Sequence, residues 1–274
     1  MTAHAINKAP VIDADDAALL DAIISPAAPQ MRRGVLVNEG YRLVSLGESG
    51  CGKTSLMRAV TYWTLIRGYA NFAVVHDTKG VLAEYPRSIQ MTDVQEWYQR
   101  GGFKQGDPPI VSFRGDPRAD VECTAEEVGA LAMMYARKGR TTATGEWKTN
   151  PCVLVVDEVS EAASEGRKKV AAPSVLKAAE QGRKMGLSLN CTTQEPIDMP
   201  QVLRDQATCI SFGRITGAAL NYLDRINLPP AMVAAIKGPN NEGLPNYQFV
   251  VYFKGQPWDG AIHRLNKKTV DMFE

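Results

Sequence analysis

The sequence has no excess of either charge, no cysteine or histidine spacing that suits a metal, and no long apolar run. Its 31 lysines and arginines are nearly balanced by 30 aspartates and glutamates. Any contact with a nucleic acid must therefore come from a local patch. The five cysteines lack CxxC spacing and only three histidines are present, which argues against a zinc site and indicates reduced thiols. No stretch approaches the roughly 20 apolar residues that a membrane span needs. These absences predict a soluble, cytoplasmic protein.

Apolar segments of strand and helix length alternate from residue 41 onward, which is typical of a parallel α/β sheet. The predicted strands are 41–46, 72–76, 110–113, 152–156, 187–192 and 208–212. The predicted helices are 53–67, 124–137, 173–185 and 217–226, and a terminal β-hairpin is predicted at 247–253 and 261–265. Residues 1–40 are assigned to an N-terminal arm with one short helix, which either packs on its own domain or reaches a neighbouring molecule. Residues 41–274 are assigned to the main α/β domain.

A complete phosphate-binding motif follows the first strand of this domain. Residues 47–54 read GESGCGKT and match GxxxxGK[ST]. Glycines let backbone N–H groups wrap the β- and γ-phosphates, and the following helix presents its positive end to them. Lys53 is predicted to contact the β/γ-oxygens of ATP, and the Thr54 hydroxyl to hold Mg²⁺. The residues predicted to bind the nucleotide are Gly47, Glu48, Ser49, Gly50, Cys51, Gly52, Lys53, Thr54 and Ser55.

Cys51 occupies a variable position of this motif, two residues before Lys53. The positive end of the helix and the lysine charge both favour a thiolate, so the pKa of Cys51 is predicted to be lowered. A maleimide is then expected to modify Cys51 faster than the other cysteines, and nucleotide to protect it. The alternative is an inert thiol that lies against the sheet.

An apolar strand at 152–156 ends in two carboxylates, Asp157 and Glu158. A carboxylate at that strand end, beside a phosphate loop, is typical of a magnesium site, and Asp157 is given this role through a bridging water. Glu158 is predicted to orient and deprotonate the attacking water. The pair favours hydrolysis of ATP over phosphotransfer to a small acceptor, which has no use for a second, water-activating carboxylate.

The next predicted strand, 187–192, ends in threonines followed by Gln194. A glutamine at the tip of a strand beside the acidic strand can hydrogen-bond both the γ-phosphate and the attacking water, so Gln194 is a candidate catalytic residue. Arg183 precedes the same strand in a Gly-Arg-Lys turn. On composition alone, a charged residue in such a turn is solvated.

The run at 180–196, EQGRKMGLSLNCTTQEP, resembles the HerA/FtsK superfamily of ring-forming, DNA-translocating ATPases. In that superfamily a GR-x-x-G-L segment leads into a strand that ends in Thr-Gln. The phosphate loop, the Asp157-Glu158 pair and the DTKG turn at 77–80 match as well, so the resemblance covers about residues 41–215. It implies a RecA-like α/β P-loop NTPase fold, with a mostly parallel central sheet flanked by helices.

The resemblance also implies roles for single residues. Gln194 would sense the γ-phosphate, and Arg183 would act across a subunit interface as an arginine finger, with Arg214 as the second candidate. An arginine that acts across the interface implies a homo-oligomeric ring, a hexamer or a pentamer.

The chain has no room for the extra domains of cellular HerA-type and FtsK-type translocases, and its compact size resembles the genome-packaging ATPases of tailless, membrane-containing icosahedral viruses. This implies double-stranded DNA as the substrate, a capsid vertex or viral membrane protein as a further partner, and a location in the host cytoplasm or the virion. The candidate DNA contacts are Arg167, Lys168 and Lys169, after the acidic strand. The alternative for these three residues is an ordinary solvated surface.

Three other functions stay open. A conjugation or secretion motor would use the same chemistry to move DNA or protein through a membrane complex. A P-loop kinase would act on a small metabolite, and DNA-stimulated ATP turnover would exclude it. A non-catalytic nucleotide switch is disfavoured by the intact Glu158 and Gln194.

Overall fold

The computed structural model of the chain describes residues 12–32, 35–37, 39–77, 88–114, 121–137, 140–141, 147–148, 150–159, 172–194, 199–223 and 226–271. The strands are β1 Gln30–Arg32, β2 Val35–Val37, β3 Arg42–Leu46, β4 Phe72–Asp77, β5 Ile89–Met91, β6 Ile110–Arg114, β7 Arg140–Thr141, β8 Trp147–Lys148, β9 Cys152–Val156, β10 Leu187–Thr193, β11 Cys209–Phe212, β12 Gln248–Phe253 and β13 Ile262–Arg264. The helices are α1 Ala14–Ile24, α2 Lys53–Ile66, α3 Val94–Arg100, α4 Val121–Arg137, α5 Pro173–Gln181, α6 Gln201–Gln206, α7 Leu220–Leu223, α8 Pro230–Lys237 and α9 Lys267–Asp271.

Nine strands form the central sheet, in the order β13-β12-β11-β3-β10-β9-β4-β6-β5. The seven strands from β11 to β5 are parallel, and the β12–β13 hairpin adds two antiparallel strands at one edge. Each strand predicted from the sequence is present, and so is the terminal hairpin. The predicted class, a RecA-like α/β fold with a mostly parallel sheet, is confirmed.

The central strands are buried on both faces, which explains their continuous apolar sequences. Along β9, Val153 and Val155 pack with Met57 of α2 on one face of the sheet. The alternate residues Leu154 and Val156 join the larger cluster on the other face, to which α4 and α5 contribute. Helices therefore cover both sides of the central strands.

Helix α1 of the N-terminal arm packs on the same chain. Ile23 and Ile24 of α1 lie in one apolar cluster with Leu56 of α2. Asp21 accepts a hydrogen bond from the indole N–H of Trp63 at 2.7 Å and pairs with Arg67. Helix α1 therefore packs on its own domain, which was one of the two alternatives for the arm.

Several short elements carry too weak a periodic signal to be predicted from the sequence, among them β5, α3, α6 and α8. Helix α3 has only seven residues. Asp93 caps its start by accepting the Glu96 N–H at 2.7 Å, and the helix buries Trp97 completely. Tertiary burial of one large side chain stabilises this helix more than its own propensity does. No helix in the described ranges combines the length and the apolar character needed to cross a membrane.

His76 on β4 makes the stability of the fold depend on pH. Its side chain is fully buried, and burial lowers its pKa from 6.5 to about 4. As the pH falls through 6.5, His76 becomes protonated in the unfolded chain but stays neutral in the folded protein. The folded protein therefore loses stability until the pH reaches about 4. This group should lower the free energy of unfolding by about 2 kcal/mol between pH 7 and pH 5. Urea unfolding at both values measures it.

The control is His76→Phe, which fills similar space and cannot titrate. Its loss of stability between the two pH values should be smaller than that of the wild type by this amount. Equal losses in the two proteins would contradict the assignment to His76.

Candidate nucleotide-binding site

The phosphate loop connects the end of β3 to the start of α2 and is hydrogen-bonded to the strands on either side of β3. The Gly47 N–H donates to the Thr193 carbonyl on β10 at 3.3 Å, and the Glu48 N–H donates to the Arg214 carbonyl after β11 at 2.8 Å. Gly52 precedes α2 with φ 99°, a left-handed conformation that glycine adopts without strain. The loop is therefore fixed at the carboxyl edge of the sheet.

Lys53 is the first residue of α2 and reaches back across the loop. Its ammonium group donates to the Glu48 carbonyl at 2.9 Å, and the residue is only 5% exposed. The positive charge is thus held inside the curve of backbone N–H groups, beside the positive end of a helix. This arrangement suits a chain of phosphates.

The acidic pair follows β9, and its two residues are each only 6% exposed. Because β9 and β10 are parallel neighbours, their carboxyl ends lie side by side. The Thr192 hydroxyl of β10 donates to Asp157 Oδ1 at 2.6 Å and accepts the Glu158 N–H at 2.9 Å. The Gln194 side-chain N–H donates to Glu158 Oε1 at 3.2 Å. The structure thus brings together three residues that the sequence analysis assigned separately: Asp157, Glu158 and Gln194.

Glu158 has a left-handed backbone, with φ 50°. For a residue that is not glycine this conformation costs about 1–3 kcal/mol, and it persists only where the surroundings impose it. Such outliers concentrate at functional sites. Here the outlier is the residue assigned as the general base.

The residues present fit a magnesium ion. The Thr54 hydroxyl at the start of α2 and the Asp157 carboxylate are oxygen groups of the kind that Mg²⁺ prefers, and they are the residues that would hold it. No group of three or more histidine, cysteine, aspartate or glutamate side chains suited to a metal occurs among the described residues. Mg²⁺ in nucleotide sites uses one or two protein oxygens with phosphates and waters, so it needs no such group.

Arg214 lies on its own phosphate loop. Its guanidinium Nε is 3.7 Å from the Glu48 carboxylate, which also hydrogen-bonds the Thr216 hydroxyl. A cavity of about 220 Å³ opens there between Glu48, Gln194 and the segment after β11. Arg214, the second candidate for the arginine finger, therefore lies beside the phosphate loop of its own subunit.

Arg183 lies at the other end of the sheet. It precedes β10, whose seven residues separate it from Gln194 by about 20 Å. Its guanidinium donates two hydrogen bonds to one oxygen of Glu39, at 2.6 and 2.9 Å, and about half of its side chain is exposed. A cavity of about 550 Å³ adjoins this pair. Arg183 cannot reach the phosphate loop of its own chain.

The turn that carries Arg183 is held from the start of β3. Arg42 is almost fully buried, and its guanidinium donates to the carbonyls of Ala178 and Ala179 at 3.0 and 2.6 Å, in the last turn of α5. The Gly40 N–H donates to the Arg183 carbonyl at 3.1 Å. One strand thus anchors the Arg183 turn at its beginning and the phosphate loop at its end.

Two sequence-based assignments fall outside the described residues. The candidate DNA contacts Arg167, Lys168 and Lys169 lie in the gap between residues 159 and 172. The turn at 77–80 is described only at Asp77.

The prediction of a reactive Cys51 thiolate is wrong. The residue is only 1% exposed, and its burial raises the pKa of the thiol, although the Lys53 charge acts in the opposite direction. A Cβ atom added to Gly47 or to Gly213 would come within 2.8 Å of the Cys51 sulfur. The side chain therefore packs beneath the loop, between two glycines, as the alternative interpretation held.

These features define a RecA-like α/β fold that carries a phosphate loop. No family model matches the sequence, and no curated protein matches it. The genome packaging NTPase B204 of Sulfolobus turreted icosahedral virus 2, solved with AMPPCP, is similar in structure: the TM-score is 0.58 at 18% identity, over 84% of this chain and 98% of that one. The bacterial conjugative coupling protein TrwBdeltaN70 gives a TM-score of 0.57 at 11% identity, over 91% of each chain. At these identities the likeness concerns the fold, and at that level it confirms the predicted resemblance.

The burial of Cys51 generates a prediction opposite to that from the sequence. In the native protein a maleimide should modify Cys51 no faster than the buried Cys152, Cys191 and Cys209, and Mg-ATP should leave the rate unchanged. Mass-spectrometric mapping of labelled peptides measures this, with the urea-unfolded chain as the control for full labelling. Rapid labelling of Cys51 that nucleotide suppresses would contradict the structure.

Proposed function

We propose that this chain is a ring-forming motor that hydrolyses ATP to move double-stranded DNA, and that its task is the packaging of a viral genome. One observation carries the proposal. The phosphate loop, the buried Asp157-Glu158 pair and Gln194 converge at one edge of the sheet, with Glu158 hydrogen-bonded to Gln194. This constellation suits the attack of water on a γ-phosphate.

In the proposed reaction, the loop N–H groups and Lys53 bind the β- and γ-phosphates. Thr54 and Asp157 would hold Mg²⁺, whose charge offsets that of the phosphates. Glu158 takes the proton of the attacking water, and Gln194 orients that water against the γ-phosphate. The hydrogen bond between Gln194 and Glu158 keeps the amide and the base together for these roles.

The proposal that Arg183 acts on a neighbouring subunit is supported by its place in the fold. It lies about one strand length from its own phosphate loop, on a firmly held turn beside an open cavity. A head-to-tail ring would bring such a turn to the next subunit's nucleotide. A finger of this kind stabilises the charge that develops in the transition state.

The packaging task is supported by the likeness to the viral packaging NTPase B204, of which 98% is covered. On this proposal the ring, a hexamer or a pentamer, works in the host cytoplasm or the virion and docks on a capsid vertex or a viral membrane protein. Arg167, Lys168 and Lys169 are the proposed DNA contacts, which would be sequence-independent and salt-sensitive.

A conjugation-type motor is the second candidate, because the chain also covers 91% of the conjugative coupling protein TrwBdeltaN70. A small-molecule kinase is less well supported, because the Glu158–Gln194 pair has no task in phosphotransfer to a metabolite. ATP turnover measured with and without double-stranded DNA separates the motors from the kinase. The proposed motor requires stimulation by DNA.

Glu158→Gln should bind ATP normally and hydrolyse it at least ~100-fold more slowly, because the attacking water loses its general base. Steady-state phosphate release and the binding of a fluorescent ATP analogue measure the two properties. Glu127→Gln makes the same change on an exposed position of α4 and should behave as the wild type. Normal turnover in Glu158→Gln would assign the base elsewhere.

Arg183→Ala should bind nucleotide almost normally and lose most of its hydrolysis, because the arginine acts on the neighbour's transition state. Equal mixing with Glu158→Gln subunits should restore activity at about one quarter of the interfaces of a randomly assembled ring. There, an intact Arg183 faces an intact Glu158.

The matched control mixes Arg183→Ala with the double variant Glu158→Gln/Arg183→Ala, which offers no intact Arg183 and should restore nothing. Native mass spectrometry verifies that the subunits mix. Mixed rings without recovered activity would refute the assignment of Arg183 in trans.

A further inference from the structure

We propose that Thr192 is the positioning residue of the acidic pair: a single hydroxyl group holds Asp157 and Glu158 in place relative to the phosphate loop. The inference rests on the proposed ATP hydrolysis for its catalytic consequence. Its structural content is independent of that function.

The Thr192 hydroxyl donates one hydrogen bond and accepts another, and its two partners are consecutive residues just after the end of β9. Cys191 of β10 is paired with Val156 of β9, so Thr192 comes level with Asp157. Its proton is donated to Asp157 Oδ1 at 2.6 Å, and its oxygen accepts the Glu158 N–H at 2.9 Å. A hydroxyl has one donor and two acceptor positions, so both bonds can exist at once.

The second of these bonds acts on the strained residue. The Glu158 N–H is buried at a turn with a left-handed φ of 50°, where a β-ladder partner is lost. An unsatisfied buried N–H would add to the cost of that conformation. By accepting it, Thr192 holds the backbone that aims the Glu158 carboxylate at Gln194.

A threonine suits this task better than other residues of its size. Thr192 is fully buried, and β-branching restricts χ1, so its hydroxyl has few alternative positions. Serine retains the hydroxyl with more rotational freedom. Valine has the same shape and retains neither hydrogen bond.

The same strand end also contacts the phosphate loop. The carbonyl of Thr193 accepts the Gly47 N–H at 3.3 Å, and Gln194 contacts Glu158. Residues 192–194 thus connect the loop and the acidic pair through three consecutive positions. Thr192 is the member whose hydroxyl sets the place of both carboxylate-bearing residues.

The test compares Thr192→Val, Thr192→Ser and the control Thr64→Val. Thr64 on α2 is also fully buried, and its hydroxyl also makes two hydrogen bonds, with the Val60 carbonyl at 2.7 Å and with the Tyr41 hydroxyl at 3.0 Å. Thr192→Val should lower kcat on the order of 10- to 100-fold, the scale for losing a hydrogen bond to a charged group. The Mg²⁺ concentration at which nucleotide binding of Thr192→Val is half-maximal should rise on the order of tenfold, because the carboxylate that would hold the metal loses a hydrogen-bond partner. Thr192→Ser and Thr64→Val should stay near the wild type in both.

A third readout does not depend on hydrolysis. Amide hydrogen exchange of the peptide that contains Glu158 should become roughly tenfold faster in Thr192→Val, and not in Thr64→Val, because only the first substitution removes the acceptor of that N–H. Thermal unfolding of each variant verifies that the fold is kept.

The outcomes separate the two proposals. A wild-type protein that binds ATP without hydrolysing it refutes the proposed function, and the Mg²⁺ and exchange measurements then still decide on Thr192. The positioning role is overturned if Thr192→Val leaves the Mg²⁺ dependence of nucleotide binding and the amide hydrogen exchange unchanged. It is also overturned if Thr64→Val changes these properties as much as Thr192→Val does. Loss in Thr192→Ser equal to that in Thr192→Val overturns it as well, because the hydroxyl would then be irrelevant.

Discussion

The parallel pairing of β3, β10 and β9 is the constraint on which the rest of the site depends. Parallel neighbours end at the same edge of a sheet, so the residues that follow these strands lie close together and need no long connecting loops. The phosphate loop continues β3, Gln194 follows β10, and Asp157 follows β9. Hydrogen bonds from Gly47 to β10 and from Thr192 to the acidic pair then fix distances that strand pairing alone leaves adjustable.

Burial explains why the polar residues of the site at this edge of the sheet are held in defined positions. The strands are largely apolar because helices cover both faces, and buried polar side chains within them, such as Ser45 and Asn190, are hydrogen-bonded there. The carboxylates of the site follow the strand ends. At those ends Asp157 and Glu158 are nearly inaccessible to water, and a nearly inaccessible carboxylate needs defined partners. The partners come from β10. The site is therefore assembled by the same packing that stabilises the sheet.

The sequence predicted what local patterns encode. The motif at 47–54, the strand 152–156 and the Asp157-Glu158 pair each occupy a short contiguous segment, and the predicted strands are all found in the sheet. What depends on contacts distant in sequence was missed or wrong. The environment of Cys51 depends on Gly213, 162 positions away, so the sign of its pKa change could not be read from the charges next to it in the sequence. The sequence around Thr192 does not indicate that its hydroxyl contacts residues 157 and 158. Helix α3 was missed because it is stabilised mainly by the burial of Trp97.

The separation of Arg183 from the phosphate loop gives each subunit a polarity. One end of the sheet presents an arginine and the other presents a phosphate-binding edge. In a two-fold dimer such unlike ends can meet only in reciprocal pairs, and the assembly is complete with two subunits. A heterologous contact, repeated with the same rotation, instead joins the arginine end of each subunit to the phosphate-binding edge of the next. If that rotation closes, the assembly is a ring without a terminal subunit, whereas a rotation that does not close gives an open filament with one unpaired arginine end and one unpaired phosphate-binding edge.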